Sequence, residues 1–324
     1  MRAIADYRDL FVANLEKEIT VKEPRNLYEP INYILSLGGK RMRPILTLLS
    51  AEVFGADYSK AVAAAIAVEV FHNFSLVHDD IMDDAPLRRG KETVHEKWNL
   101  NAGILSGDAM LILAYQYFEQ YDAATFKSLA KLFSTTALQV CEGQQMDVDF
   151  ENRDDVSLAE YLKMIEYKTA VLIAAALKMG AIVADTSEEN CRKIYEFGVN
   201  LGIAFQIQDD YLDAFGDPLT FGKQVGGDII ENKKTYLYLK AHEFSTVVDG
   251  EQLLHLYSVK PADNTQKIDS VKKIFQESGA ADAARVAISQ FTEKAFSTLS
   301  QIDISDDRLA ILHAFGENLM KRTV

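Results

Sequence analysis

The chain has 324 residues, with 34 Lys and Arg against 48 Asp and Glu and a formal net charge of −14. That balance argues against nucleic acid as a partner and favours solubility, without deciding the fold. With 48% hydrophobic residues the chain can bury a large core. No Ser/Pro/Gly-rich linker, low-complexity tract or fixed-period repeat marks a seam, so one domain over residues 1–324 is expected.

The N-terminal stretch MRAIADYRDLFVANLEKEI is charged and amphipathic and lacks the apolar centre of a secretory signal. A basic island, GGKRMRP, follows with Lys40, Arg41 and Arg43. A long, mostly apolar segment of helical character then runs into DDIMD, Asp79 to Asp83, and LRRGK after it supplies Arg88, Arg89 and Lys91. No proline falls between Pro86 and Pro218, and apolar residues over Gly103 to Gly216 recur at helical spacing. An all-α fold of about a dozen helices is predicted. Cys141 and Cys191 sit in helical segments without metal spacing and read as reduced core residues of a cytoplasmic protein. The longest apolar stretch, Val171 to Ala184, is interrupted by Lys178 and falls short of a membrane span. Lys168 lies in EYKTA, and a second long segment ends in DDYLD, Asp209 to Asp213. Two more basic islands follow it, Lys223 in FGKQVGGD and Lys233 with Lys234 in ENKKTY.

The repeated Asp-Asp-x-x-Asp pattern is the most informative feature. On a helix the first and fifth positions share a face, so Asp79 with Asp83, and Asp209 with Asp213, each present a carboxylate pair. Negative charge at a helix C-terminus opposes the macrodipole and costs stability unless something offsets it. A hard divalent cation is the natural offset, and Mg²⁺ is usually completed by substrate phosphate oxygens. Solvated acidic helix ends are the plain alternative for one motif. Two motifs at matching positions, each flanked by basic islands, point instead to a diphosphate held by metal and by Lys or Arg. His72 lies seven residues before Asp79 and Gln206 three before Asp209, which places each on its motif's helix face. Taken alone, His72 reads equally as a core histidine.

Together, GGKRMRP, FHNFSLVHDDIMDDAPLRRG, GQQMD, YKTA, FQIQDDYLD and GKQVGGD…KKTY resemble the trans-isoprenyl diphosphate synthases of the polyprenyl synthetase family. The resemblance runs from about Gly38 to Tyr236; beyond Leu239 no motif appears, and helical packing is the expectation. It implies a helical bundle around a deep central cavity, with the two acidic motifs at its mouth. It implies Mg²⁺ as cofactor, about three ions once substrate is bound. Asp79, Asp83, Asp209 and Asp213 would be metal ligands, with Asp80 and Asp210 as catalytic support. Lys40, Arg43, His72 and Arg89 would bind isopentenyl diphosphate. Arg88, Lys168, Thr169, Gln206, Lys223 and Lys233 would hold the allylic diphosphate, with Arg88 and the three lysines acting on the leaving group. A homodimer in the cytoplasm, with prenyl diphosphates as its small-molecule partners and no stable membrane insertion, completes the implication.

The sequence carries no GxSxG, no Cys/His pair of family spacing and no Gly-rich nucleotide loop, so nucleophilic catalysis by the protein has no candidate. A class I terpene cyclase shares one DDxxD, but GGKRMRP and a second complete motif argue for two diphosphate sites. A non-catalytic subunit of a prenyl synthase should have eroded acidic motifs, and these are intact. Leu237 stands where the family often has Pro, a packing position. Product length is read from the first motif's helix. Ser75 lies one turn before Asp79, and Phe74 and Phe71 fall about 7 and 12 Å down the axis at about 1.5 Å per residue. In the family an aromatic residue five before the first Asp limits length. The rings would form a chain-length floor, giving C15 or C20 and favouring C20.

Overall fold

Periodicity in the sequence translates into helices almost throughout. The computed structural model describes residues 3–217 and 225–321, so Lys223 lies outside the described residues. Among these residues there are sixteen α-helices, one two-stranded hairpin, a 3₁₀ turn and a π-helical turn. The count exceeds the expected dozen partly because two helices, α5 (Val94–Lys97) and α11 (Gly227–Ile230), are single turns too short to leave a periodic trace.

Two compact units divide the chain, Met1–Thr135 with Ala175–Tyr195, and Thr136–Ala174 with Glu196–Val324. In the first, α4 (Val62–Met82) packs against α3 (Met42–Val53) and α6 (Leu100–Phe118). Every residue of α4 from Ala63 to Phe71 is buried, because a helix that is apolar all round must be covered on all sides. Tyr58–Met82 is long and apolar enough to cross a membrane, and 67% of its most apolar window is buried inside the protein. It is a core helix. Ser50 of α3 donates to the Leu177 carbonyl of α9 (Val171–Val183) at 2.7 Å, fixing that approach.

The second unit builds its motif-bearing part around the π-helical turn Glu166–Ala170, which continues α8 (Leu158–Ile165) and contains the YKTA residues. Two glycines let neighbouring backbones close on this turn. A Cβ on Gly143 of α7 (Ala123–Glu151) would lie 2.3 Å from the Lys168 nitrogen. One on Gly202 of α10 (Glu188–Phe215) would lie 2.7 Å from the Ala170 Cα. Neither distance is compatible with a side chain. The C-terminal third is helical packing, as expected: α12 (Tyr236–Phe244) lies against α15 (Ala280–Leu299), and Ala280, Ala284 and Ala287 join a core with Val271 and Phe275.

One expectation about the cysteines is corrected. Cys191 is buried, but Cys141 is exposed. A single small apolar residue on the outer face of a long amphipathic helix leaves no signal that separates it from core.

Candidate active site

In the first unit the cations of GGKRMRP have different surroundings. Arg41 adopts φ +51°, caps the start of α3 and buries its guanidinium, donating to the Glu69 carboxylate of α4 and to the Leu35 carbonyl. That anchor holds the flanking Lys40 and Arg43. Arg43 Nη1 donates to His72 Nε2 at 3.1 Å. Arg43 can only donate, so Nε2 accepts and the ring proton sits on Nδ1. Burial and the nearby Arg89, only partly offset by Glu69, bring the Arg43 guanidinium down to about 10. Burial, then Arg43, Arg89, Arg88 and Arg41, hold His72 well below its ordinary range, so it is neutral. Several like charges crowded around a neutral imidazole form a site short of negative charge.

His72 has a depressed folded pKa, so its contribution to stability is present above about 6.5, the unfolded value, and is lost as pH falls toward the folded one. Urea titrations between pH 7.5 and 5 should show a shallower loss of stability for His72→Gln than for the parent. Identical slopes would mean that His72 is protonated equally in both states.

The first acidic motif ends α4, with Asp83 as its C-cap; the Asp83 N–H donates to the Asp79 carbonyl at 2.9 Å. Its three carboxylates have different surroundings. Asp80 is 2% exposed and clamped by Arg88 through three contacts of 2.6 to 2.9 Å. Asp79 is 20% exposed and lies 3.7 Å from the same guanidinium. Asp83 is exposed. Arg88 is delivered by a hairpin that the sequence analysis does not foresee, β1 (Leu87–Arg88) paired antiparallel with β2 (Lys91–Glu92). Its two-residue loop, Arg89–Gly90, has φ +54° and +74°, the signs a tight hairpin turn needs. Arg-Gly is a weaker hairpin signal than Asn-Gly. The loop places Arg89 away from Asp80, where its guanidinium donates to the Gly38 carbonyl.

The second motif, in the other unit, repeats this division of labour. Asp210 is buried; it accepts from the Tyr161 hydroxyl and from Gln206 Nε2 at 3.0 Å. Gln206 Oε1 in turn accepts from the Thr169 hydroxyl at 3.1 Å, which links YKTA to the acidic motif. Asp209 and Asp213 remain half-buried. The Asp228 N–H donates to Asp213 Oδ2 at 3.0 Å. Burial pushes the Asp210 and Asp228 carboxyls up, reinforced by their acidic neighbours. A cavity of about 120 Å³ in this unit is lined by Lys168, Thr169, Gln206, Asp210, Asp228 and Lys233, among others. Lys168 Nζ is 2.5 Å from Asp147 and Lys233 Nζ 3.1 Å from Glu231. Burial lowers Lys233, yet Glu231, Asp147 and Asp228 carry it above its ordinary value, so it is cationic. Lys234, 7% exposed, donates to the Phe150 and Arg153 carbonyls and closes the end of α7 instead.

Asp147, Tyr161 and Asp228 are site residues that sequence reasoning did not single out. Asp147 and Asp228 end motifs already quoted, GQQMD and GKQVGGD, so their position was a usable signal. Tyr161 had none, since its partner Asp210 is distant in sequence.

The donor set fits a divalent cation. In each motif the second Asp is turned inward onto protein donors, and the first and fifth keep accessible carboxylates on one helix face. Oxygen-only ligands with solvent on one side suit a hard ion that retains water and takes phosphate oxygens.

A solved geranylgeranyl pyrophosphate synthase is 53% identical to this chain, with 100% of each chain covered and a TM-score of 0.96. The geranylfarnesyl diphosphate synthase of Natronomonas pharaonis is 38% identical over 301 residues, 87% of this chain and 86% of the relative. A geranylgeranyl pyrophosphate synthase from Corynebacterium glutamicum, solved with isoprenyl diphosphate and magnesium, is 26% identical, covers 99% and 98% of the two chains and has a TM-score of 0.84. The pattern of the polyprenyl synthetases matches residues 24–277, and the chain belongs to that family.

Proposed function

We infer that the chain is a short-chain trans-prenyl diphosphate synthase that condenses isopentenyl diphosphate with an allylic diphosphate. The observation that carries this reading is the gathering of Lys168, Thr169, Gln206 and Lys233 around one cavity of the second unit. Each of these residues has the charge or dipole a diphosphate leaving group requires. Asp79, Asp83, Asp209 and Asp213 would hold Mg²⁺. When bound, Mg²⁺ supplies Lewis-acid stabilisation of negative charge on diphosphate oxygens. Lys168 and Lys233 contribute fixed positive charge as the allylic carbon–oxygen bond breaks. Asp80 and Asp210 act as positioning residues, holding Arg88 and Gln206 respectively. Lys40, Arg43 and Arg89 bind isopentenyl diphosphate, whose double bond attacks the allylic cation to form the new carbon–carbon bond. The proton then lost passes to the released pyrophosphate, which balances the reaction without a protein base.

Incubation with Mg²⁺, labelled isopentenyl diphosphate and each of the C5, C10 and C15 primers, followed by product sizing, tests the reading. Failure to consume isopentenyl diphosphate would overturn it in favour of a cyclase or an inert subunit. The two diphosphate sites separate kinetically. Lys40→Ala and Arg43→Ala should raise KM for isopentenyl diphosphate by about tenfold to a hundredfold, the worth of one charge-assisted contact. Lys168→Ala and Lys233→Ala should act mainly on kcat, because their charges meet the group as it departs. The same effect on both parameters in all four variants would sink the division.

We propose C20 as the main product. Phe71 is 1% exposed and Phe74 8%, their ring centroids 5.4 Å apart. Phe133 of α7 stacks edge-on to Phe71 at 5.0 Å and to Tyr115 at 4.7 Å, giving the floor a second helix. Ser75 keeps the level above open, its hydroxyl turned to the His72 carbonyl at 2.8 Å. Phe74→Ala with Phe71→Ala should move the product distribution past C20; a double variant that still stops at the parent length would place the limit elsewhere.

We also propose a homodimer working in the cytoplasm. Leu100, Ile104, Leu105 and Ile112 lie exposed along one side of α6, a row whose apolar surface suits a second copy. Sedimentation equilibrium reads the mass; a monomer at micromolar concentration would refute the dimer.

A further inference from the structure

Besides its acidic motif, the first unit holds a cluster of side chains that could hold a metal ion. Asp84, His95 and Glu96 each offer one ligand atom, and these atoms lie within 4.8 Å of one another. The cluster contains an imidazole, which no ligand of the paired motifs does. The His95 side chain is 9% exposed, and neither ring nitrogen has a hydrogen-bond partner among the described residues. Its Nε2 stands 3.8 Å from Glu96 Oε1, too far for a hydrogen bond. A buried imidazole with both nitrogens unsatisfied is an uncommon and costly state, and a cation or a bound donor relieves it.

The backbone holds these residues together by local design. The hairpin β1–β2 spans the gap between Asp84 and His95, pairing Leu87 with Glu92 and Arg88 with Lys91. At its base the Thr93 N–H donates to the Pro86 carbonyl at 3.2 Å and the Thr93 hydroxyl to the Ala85 carbonyl at 2.8 Å. The Ala85 N–H donates to the Asp80 carbonyl at 2.9 Å, tying the segment to the end of α4. Asp84 itself adopts φ +48°, a backbone state rare outside glycine and tolerated by Asp. Asp84 and Glu96 are exposed, so both carboxylates can rotate toward the ring. Metal bonds of about 2.0–2.2 Å put ligand atoms at most about 4.4 Å apart, so the observed spread closes with a small side-chain movement.

We propose that Asp84, His95 and Glu96 form a divalent-cation site separate from the paired acidic motifs. One imidazole and two carboxylates select a borderline ion such as Zn²⁺ or Co²⁺ over Mg²⁺, with water completing the exposed side. A cation there clasps the base of the hairpin that carries Arg88 and Arg89.

The test uses Co²⁺ alone, titrated into the substrate-free full-length protein and followed by its visible d–d absorption, with Zn²⁺ as competitor. The parent and the Asp79→Asn/Asp209→Asn variant should each show one Co²⁺ with nitrogen ligation, displaced by Zn²⁺. His95→Gln, and separately Asp84→Asn/Glu96→Gln, should weaken that binding at least about tenfold. Unchanged Co²⁺ binding in Asp84→Asn/Glu96→Gln overturns the proposal, and because both residues are exposed this variant serves even where His95→Gln fails to fold. So does an absence of any such band in the parent, or a band lost only in the Asp79→Asn/Asp209→Asn variant.

Discussion

Asp79→Asn or Asp209→Asn should lower kcat in Mg²⁺ by about a hundredfold to a thousandfold or more, with little change in the unfolding midpoint. The size follows from removing one electrostatic contact to the developing charge of the leaving group, worth about 3–4 kcal/mol of activation free energy. The unchanged stability follows from position. Asp79 sits in the last turn of α4, where a negative charge faces the negative end of the helix and a second carboxylate at Asp83. Neutralising it removes that repulsion together with the weak attraction of Arg88 at 3.7 Å, and the two offset. The opposite pattern is expected one residue along. Asp80→Asn keeps the shape but withdraws the charge that holds Arg88, at 2% side-chain exposure. It should cost about 2 kcal/mol or more of stability as well as activity. Urea midpoints and steady-state kinetics measured side by side read both patterns. An Asp79→Asn enzyme that turns over at the parent rate would end the assignment of the accessible carboxylates to metal.

The contrast between neighbours within one motif shows where the sequence stops being informative. A helix fixes angular spacing, so the pairing of Asp79 with Asp83 and of Asp209 with Asp213 is a local property and could be read directly. Which Asp turns inward depends on a partner from elsewhere, Arg88 on a hairpin for Asp80 and Tyr161 on α8 for Asp210. No periodicity encodes that. The same limit applies to the proposed floor: Phe71 and Phe74 share a helix and are legible together, whereas Phe133 reaches Phe71 only through tertiary packing. GGKRMRP makes the point at the smallest scale. Four consecutive positions contain three cations, two of them arginines alike in sequence, yet Arg41 goes into the core, its αL backbone turning it toward Glu69.

That buried pair carries the second large effect. Glu69→Ala should destabilise the protein by about 3–5 kcal/mol, a large share of the roughly 5–15 kcal/mol available to a folded domain. The Arg41 and Glu69 side chains are 5% and 3% exposed, so neither charge has water to fall back on. Glu69 also accepts from Asn73 Nδ2 at 3.2 Å, and its loss leaves that donor with only the Glu69 carbonyl, at 2.8 Å. The cost is mainly that of stranding Arg41, and this makes it separable. Arg41→Met combined with Glu69→Leu removes both charges and should recover most of the lost stability, since replacing a whole buried pair by apolar groups is close to neutral. Activity should not recover in step. Lys40 and Arg43 flank Arg41, and in the proposed isopentenyl diphosphate site Arg43 would present its guanidinium from its 3.1 Å contact with His72. With the Arg41 anchor gone, KM for isopentenyl diphosphate should stay raised in the double variant even as its urea midpoint returns toward the parent value. A double variant as stable and as tight-binding as the parent would show that Arg41 serves the core alone. One whose stability fails to recover would show that the pair contributes more than its stranded charges.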